Sequence, residues 1–418
     1  MKLRHQPRTG LYRSTRVLAA FAALAAVPVI LTGCSAGEGN GSGAKVTSVT
    51  VLDYYGQGSD KKIIGEYLTK CGTENGVTID RTSVPGASLI SKVLQQASSK
   101  TLPDVLMLDN PDLQQIAATG ALSPLSDYNI STAGFSKGVL TAGTYKDKVY
   151  GLAPTVNTIA LFYNKAILDA AGVTPPTTWA ELRAAATSLT KGSQYGLAFD
   201  ANATYEGTWQ FMPFMWSNGG NEKNIDTPKT AAALTLWTDM VKAGSVSKSV
   251  VNWTQADVND QFLAGKTAMM INGPWQIPAL NAQTAVTYGI AKIPVPQTGD
   301  TAVAPLGGEV WTVPNTGNSA KQQIAAKIID CLNTGTNQLG MAKARFTIPS
   351  RTATAAQFAT DVPSEKVFVD LVANARARTG KLGVAWPAAA TKIYTAVQSA
   401  LTGQSSPADA LKNAAASN

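Results

Sequence analysis

After His5 the chain contains no histidine. That absence removes whole classes of chemistry. Ser-His-Asp and Cys-His catalysis both need an imidazole to carry the proton, and the usual histidine-containing zinc sites need one as ligand. Catalysis by carboxylates alone, as in glycoside hydrolysis, survives the exclusion. No run of apolar residues after residue 33 is long enough to span a bilayer. No cluster of Lys and Arg with interleaved aromatics is present, which speaks against nucleic acid as a partner. Internal repeats are lacking too.

Acidic residues are missing from the N-terminal segment. Lys2, Arg4, Arg8, Arg13 and Arg16 form a basic stretch, followed by the apolar run Val17 to Leu31, which Pro28 interrupts. That run has the length of an export-signal core rather than of a membrane span. Leu31-Thr32-Gly33-Cys34 closes it and resembles the lipobox of bacterial lipoproteins. The resemblance implies that residues 1–33 are a removed signal peptide and that Cys34 carries lipid. An ordinary cleaved signal or an uncleaved anchor is the other reading. Residues 34–44 are Gly- and Ser-rich with almost no apolar content and read as a flexible tether. The chain is therefore expected outside the cytoplasm, anchored to the outer face of the cell membrane. Loss of the five basic residues lowers the formal net charge from +8 to +3, so the basicity belongs mostly to the signal. Cys71 and Cys331 then remain as an even pair in an oxidising compartment, either bridged or as two buried thiols.

Beyond the tether the chain exceeds the size at which one core usually divides, so two lobes are expected. Strand-like segments Val46 to Asp53, Val77 to Arg81 and Asp104 to Leu108 alternate with helical ones at 61–70, 87–99 and 113–119. This alternation predicts a parallel sheet covered on both faces, with ligand sites beyond the carboxyl ends of the strands. The loops Tyr54 to Gly58 and Asp109 to Asp112 lie at those ends. Later helices are expected over 165–171, after the capping box Thr178/Glu181, and over 256–263, 319–332, 384–401 and 406–414. Strands are expected over 265–271 and 308–313.

Several segments together resemble the extracellular solute-binding proteins of ABC importers, in the carbohydrate-binding branch that includes maltose-binding protein. They are Lys148 to Pro154 running on to Lys165, Pro176 to Leu182, Ala268 to Trp275, and Gly307 to Pro314. They follow the family's order over nearly all of the chain after the tether. The resemblance implies an α/β fold of two lobes, the Venus-flytrap fold, each a mostly parallel sheet flanked by helices and joined by a multi-segment hinge. Crossings are implied near 154–158, 305–309 and 345–350. The N-terminal lobe would be residues 45–154 with 309–345, and the C-terminal lobe 155–308 with 346–418. In the family the helices that end at Cys71 and Cys331 are neighbours, which makes a bridge sterically reasonable.

A sugar offers apolar C–H faces and rings of hydroxyls, so its site needs aromatic platforms and polar forks. Trp209, Trp216, Trp275, Trp311 and Trp386 read as loop residues and candidate platforms, with a place in the core as the other reading for each except Trp275. Trp275 matches the family's Gly-Pro-Trp segment, whose tryptophan stacks on sugar. Gln57, Asp109, Asn110, Asn157 and Glu309 are the hydroxyl partners, although Asp and Asn also shape turns without touching ligand. Arg345 offers either a bidentate fork or a structural ion pair. Gly307 and Gly308 serve either close backbone approach or the hinge. The implied function is capture of a mono- or oligosaccharide between the lobes and its delivery to the permease subunits, by a monomer without catalysis, cofactor or metal. The alternatives are the same fold on a polyamine or a phosphorylated polyol, or a surface glycosidase. The first lobe departs from maltose-binding protein at Leu108, Pro111 and Asp112, so maltose itself is disfavoured.

Overall fold

The structure, a computed structural model, describes residues 45–417. The expected signal peptide, the lipidated Cys34 and the tether lie outside the described residues. Residues from Val46 onward form one compact unit. Among the described residues no helix is long and apolar enough to cross a membrane.

The first sheet is built on the strand Ser48–Asp53, which pairs in parallel with Thr78–Ser83 on one side and Val105–Asp109 on the other. Val105 to Leu108 are all buried, as a central strand covered on both faces must be. Glu309–Pro314 extends this sheet in the antiparallel sense and also pairs with Leu122–Ser123 and Gly151–Leu152. The second sheet has the order Tyr195–Ala198, Thr267–Asn272, Ala160–Asn164, Tyr288–Ala291. Its first pair is parallel and the other two are antiparallel. The expectation of mostly parallel sheets is thus corrected: each sheet has a parallel part extended by antiparallel strands. The return of the chain through the crossings brings strands in from the opposite direction.

Side chains along Ile159 to Phe162 alternate between two cores. Ile159 and Leu161 join the cluster around Trp237 and Trp386, whereas Ala160 and Phe162 join the larger cluster that also fills the first sheet. This is the period of two that a strand imposes. Local signals place the helices. Asn164 caps Lys165–Ala171, which ends at Gly172 with φ 64°. The capping box at Thr178 and Glu181 is formed.

Three short extended pairings tie the crossing segments to one another. Thr155–Val156 pairs with Ile348–Pro349, Asn157 bridges to Gly307, and Pro305–Leu306 pairs with Arg376–Ala377. The last of these segments has no local sequence signal. Cys71, in the helix Gly58–Glu74, is bridged to Cys331, in the helix Ser319–Leu332, with Cα atoms 5.8 Å apart.

Candidate functional site

A cleft of about 930 Å³ opens between the two sheets. Its first wall starts from a buried acid. The Asp53 carboxylate accepts from the Tyr55 amide, from Arg81 Nε at 2.6 Å and from Ser83 Oγ. A fully buried carboxylate needs such saturation. The result is a fixed turn that carries Tyr54, Tyr55 and Gln57 to the cleft. Antiparallel register sets Glu309 directly opposite Asp109, so both carboxylates leave the first sheet at one edge. Tyr54 Oη donates to Glu309 Oε1. Burial raises the Glu309 carboxyl above its ordinary value, against the opposing pull of Arg345. Burial also pushes the Tyr54 and Tyr55 hydroxyls well up, which keeps them as donors. Arg345 forks onto Asp60, Nε–Oδ1 2.9 Å and Nη2–Oδ2 3.0 Å, with its guanidinium 4.8 Å from the Tyr55 ring centre.

The opposite wall is the start of the helix Tyr205–Ser217. Its N-cap Thr204 accepts from the Glu206 amide, and Tyr205, Glu206 and Trp209 reach the cleft. Glu206 stays open to the cleft, while Asp200 behind it is fully buried. Burial raises the Asp200 carboxyl, and loss of solvent raises Glu206 with a smaller push from Asp109. Trp275 stands on the single turn Pro274–Gln276 that follows the strand Thr267–Asn272. Its ring folds back over Gly273, where any Cβ would overlap it.

The floor is the second crossing. Asn157 and Gly307 exchange backbone hydrogen bonds of 3.2 and 2.9 Å. A Cβ at Gly307 would run into Asn157 Oδ1 and the Trp209 ring, and Gly308 has φ +123°. Both glycines are therefore set by close approach and backbone conformation. Arg378 joins the two walls. Nη2 donates to Asp109 Oδ1 at 2.8 Å and to Asn110 Oδ1 at 3.3 Å, and the guanidinium lies 4.5 Å from the Trp209 ring centre.

Of the anticipated residues, Gln57, Asp109, Asn157, Trp209, Trp275, Gly307, Gly308, Glu309 and Arg345 line this one cleft. Four others do not. Trp311 is 2% exposed on the strand Glu309–Pro314, opposite Met107 and Leu152, and belongs to the core. Trp386 is fully buried at the start of the helix Trp386–Leu401. Trp216 lies in the helix of Trp209, donates Nε1 to Glu222 and is covered by Arg376 at 4.3 Å. Asn110 is buried behind the wall, where it donates to the Leu306 carbonyl. The expectation that these tryptophans sit on loops is corrected, because Trp209 and Trp216 are helical and Trp311 is in a strand. Tyr54, Tyr55, Tyr205, Glu206 and Arg378 also line the cleft without having been singled out. Tyr54 and Tyr55 share the strand-end loop with Gln57 and were legible there. Arg378 was not, because its place depends on pairing with residues some 70 positions earlier.

Two lobes with a cleft at strand ends, crossed by extended segments, define the Venus-flytrap class of binding protein. The chain belongs to the bacterial extracellular solute-binding proteins, whose family model matches residues 66–368. It is 28% identical over 266 residues to a putative binding protein of Brucella abortus, covering 58% of this chain and 64% of that one. It is 27% identical over 285 residues to the maltooligosaccharide ABC transporter solute-binding lipoprotein of Streptococcus pneumoniae, covering 64% of each. The chain thus spans just under two thirds of the length of these relatives. Maltose-bound MalE3 of T. maritima superposes with a TM-score of 0.80 at 22% identity, over 88% of this chain and 98% of the other.

Proposed function

We propose that this chain is the solute-capturing lipoprotein of an ABC importer, held at the outer face of the membrane through Cys34. It takes a mono- or oligosaccharide into the cleft and delivers it to membrane permease subunits. The observation that carries this reading is the cleft itself. Trp275 lines it together with the polar groups of Asp109, Glu309 and Gln57, the mix of aromatic and hydroxyl-binding surface that a sugar needs. The name of the pneumococcal relative supports the same reading. Residues 45–154 with 309–345 form the first lobe in this proposal, and 155–308 with 346–418 the second. A phosphorylated polyol is disfavoured, because Arg345 and Arg378, the two arginines at the cleft, already pair with Asp60 and Asp109.

Ligand favours closure only through contacts it makes better in the closed form. A thermal-shift screen against mono- and oligosaccharides tests the reading, because a ligand that binds only the folded state raises apparent stability. At least one saccharide raises the melting temperature. Trp275→Ala then weakens its binding in calorimetry at least tenfold while leaving the unliganded melting temperature within a degree or two. A screen in which no saccharide shifts the transition overturns the proposal.

A further inference from the structure

The charges facing the cleft do not balance. Four acidic and two basic side chains line it: Asp60, Asp109, Glu206 and Glu309, and Arg345 and Arg378. Each arginine is committed to one of the aspartates, Arg345 to Asp60 and Arg378 to Asp109. Glu206 and Glu309 are left with no cation in salt-bridge contact among the described residues. They stand on opposite walls. Glu206 opens the helix Tyr205–Ser217, and Glu309 opens the strand Glu309–Pro314. Asp109 lies within electrostatic reach of both. Any ligand entering this space meets two more acidic side chains than basic ones, with one unpaired acid on each wall.

A second feature points to what else the ligand carries. Thr347 is 1% exposed and Trp209 5% exposed, and both line the cleft. Thr347 Oγ1 and Trp209 Nε1 have no hydrogen-bond partner. Buried polar atoms are rarely left so in native proteins. Both belong to residues of the cleft wall, where a ligand is placed to bring the missing partner. The indole Nε1 requires an acceptor, and a threonine hydroxyl takes either role. A hydroxyl-rich molecule supplies both.

We infer that the cleft selects a saccharide bearing a protonated amine, whose ammonium is shared by Glu206 and Glu309 while its ring lies on Trp275. The inference rests on the receptor reading above and deepens it. An ammonium gives each carboxylate the charge partner that neither arginine of the cleft supplies. It is also attracted to the face of an indole. Neutral sugar satisfies the hydroxyl partners but leaves the two glutamates uncompensated. An anionic sugar is repelled.

The test is calorimetry on the full chain with matched sets that differ at one substituent. Glucosamine, glucose and N-acetylglucosamine make one set. The β-1,4-linked disaccharides of the same three sugars make a second, and trehalose with its 2-amino analogue a third. In at least one set the amine binds tenfold or more tightly than its neutral counterpart, and the advantage shrinks as salt is raised. Glu309→Gln and Glu206→Gln each reduce that preference. The two variants lie on different walls, so a folding defect in one leaves the other informative, and their thermal transitions are measured alongside. If saccharides bind but the neutral member equals or exceeds the amine in every set, the amine inference fails while the receptor reading stands. If no member of any set binds, and the wider saccharide screen is also blank, both fail.

Discussion

Two tryptophans show how little a residue type says before its surroundings are known. Trp275 and Trp311 each follow a glycine-containing segment, yet one faces the cleft and the other is enclosed between Met107 and Leu152. Truncating Trp311 removes a large buried ring, and such changes cost about 3–5 kcal/mol. Trp311→Ala therefore lowers the urea midpoint strongly, in contrast to Trp275→Ala. Equal, small stability losses in the two variants contradict that division. Glu365 makes a different single-residue case. It is 1% exposed with Oε2 unpartnered, and burial pushes its carboxyl up to about 8 from an ordinary 4.5. Between those values the folded chain keeps a proton that the unfolded chain releases. Stability present at acid pH is therefore lost as pH rises through about 8. Asp112, raised to about 7 by burial and then by Asp109, adds a slope of the same sign. Glu365→Gln removes one contribution. The variant gains roughly 2–4 kcal/mol over the parent at pH 8.5 and is close to it at pH 5. Parallel pH profiles of unfolding for the two proteins argue against this.

At the scale of elements, what sequence reveals depends on how local the cause is. The helices 165–171 and 319–332 were legible to the residue, because each carries an Asn cap and a clear end. The helix Tyr205–Ser217 was not. It is apolar nearly all round and contains Pro213, so it shows no amphipathic period. Trp209 and Trp216 consequently read as loop residues. The segment Arg376–Ala377 was hidden for another reason. Two residues carry no propensity signal, and only pairing with Pro305–Leu306 makes them a strand. The disulfide lies between these extremes: cysteine count suggested it, and helix adjacency made it possible. It joins elements 260 residues apart. Closing so long a loop restricts the unfolded chain, and loss of such a bridge typically costs about 2–5 kcal/mol. Cys71→Ala with Cys331→Ala should lower stability by that amount in denaturant titrations, with saccharide affinity under native conditions unchanged, since both positions are remote from the cleft lining. A double variant as stable as the parent shows that the bridge constrains little.

For the whole molecule, the question is what sets the balance between open and closed arrangements of the lobes. The crossings are tied by backbone pairings at the hinge, which rotation about the hinge leaves in place. Arg378 differs. It stacks on Trp209 of one wall and pairs with Asp109 of the other, so opening must break one of these contacts. The guanidinium is 5% exposed and the carboxylate 29%, so the pair is only partly screened by water. Removing one partner of such a pair is worth roughly 1–3 kcal/mol. By the same arithmetic, that changes a two-state ratio by about 5- to 150-fold. Arg378→Gln keeps part of the hydrogen bonding and the bulk but deletes the charge. In ligand-free protein it shifts the population toward open forms, visible as a larger radius of gyration in small-angle X-ray scattering. Saccharide binding then has to restore closure, and affinity falls by the same factor. The two readouts distinguish a closure device from a simple ligand contact, which would weaken binding without changing the unliganded dimensions. An unchanged radius of gyration would leave Arg378 as part of the binding wall and return control of closure to the hinge.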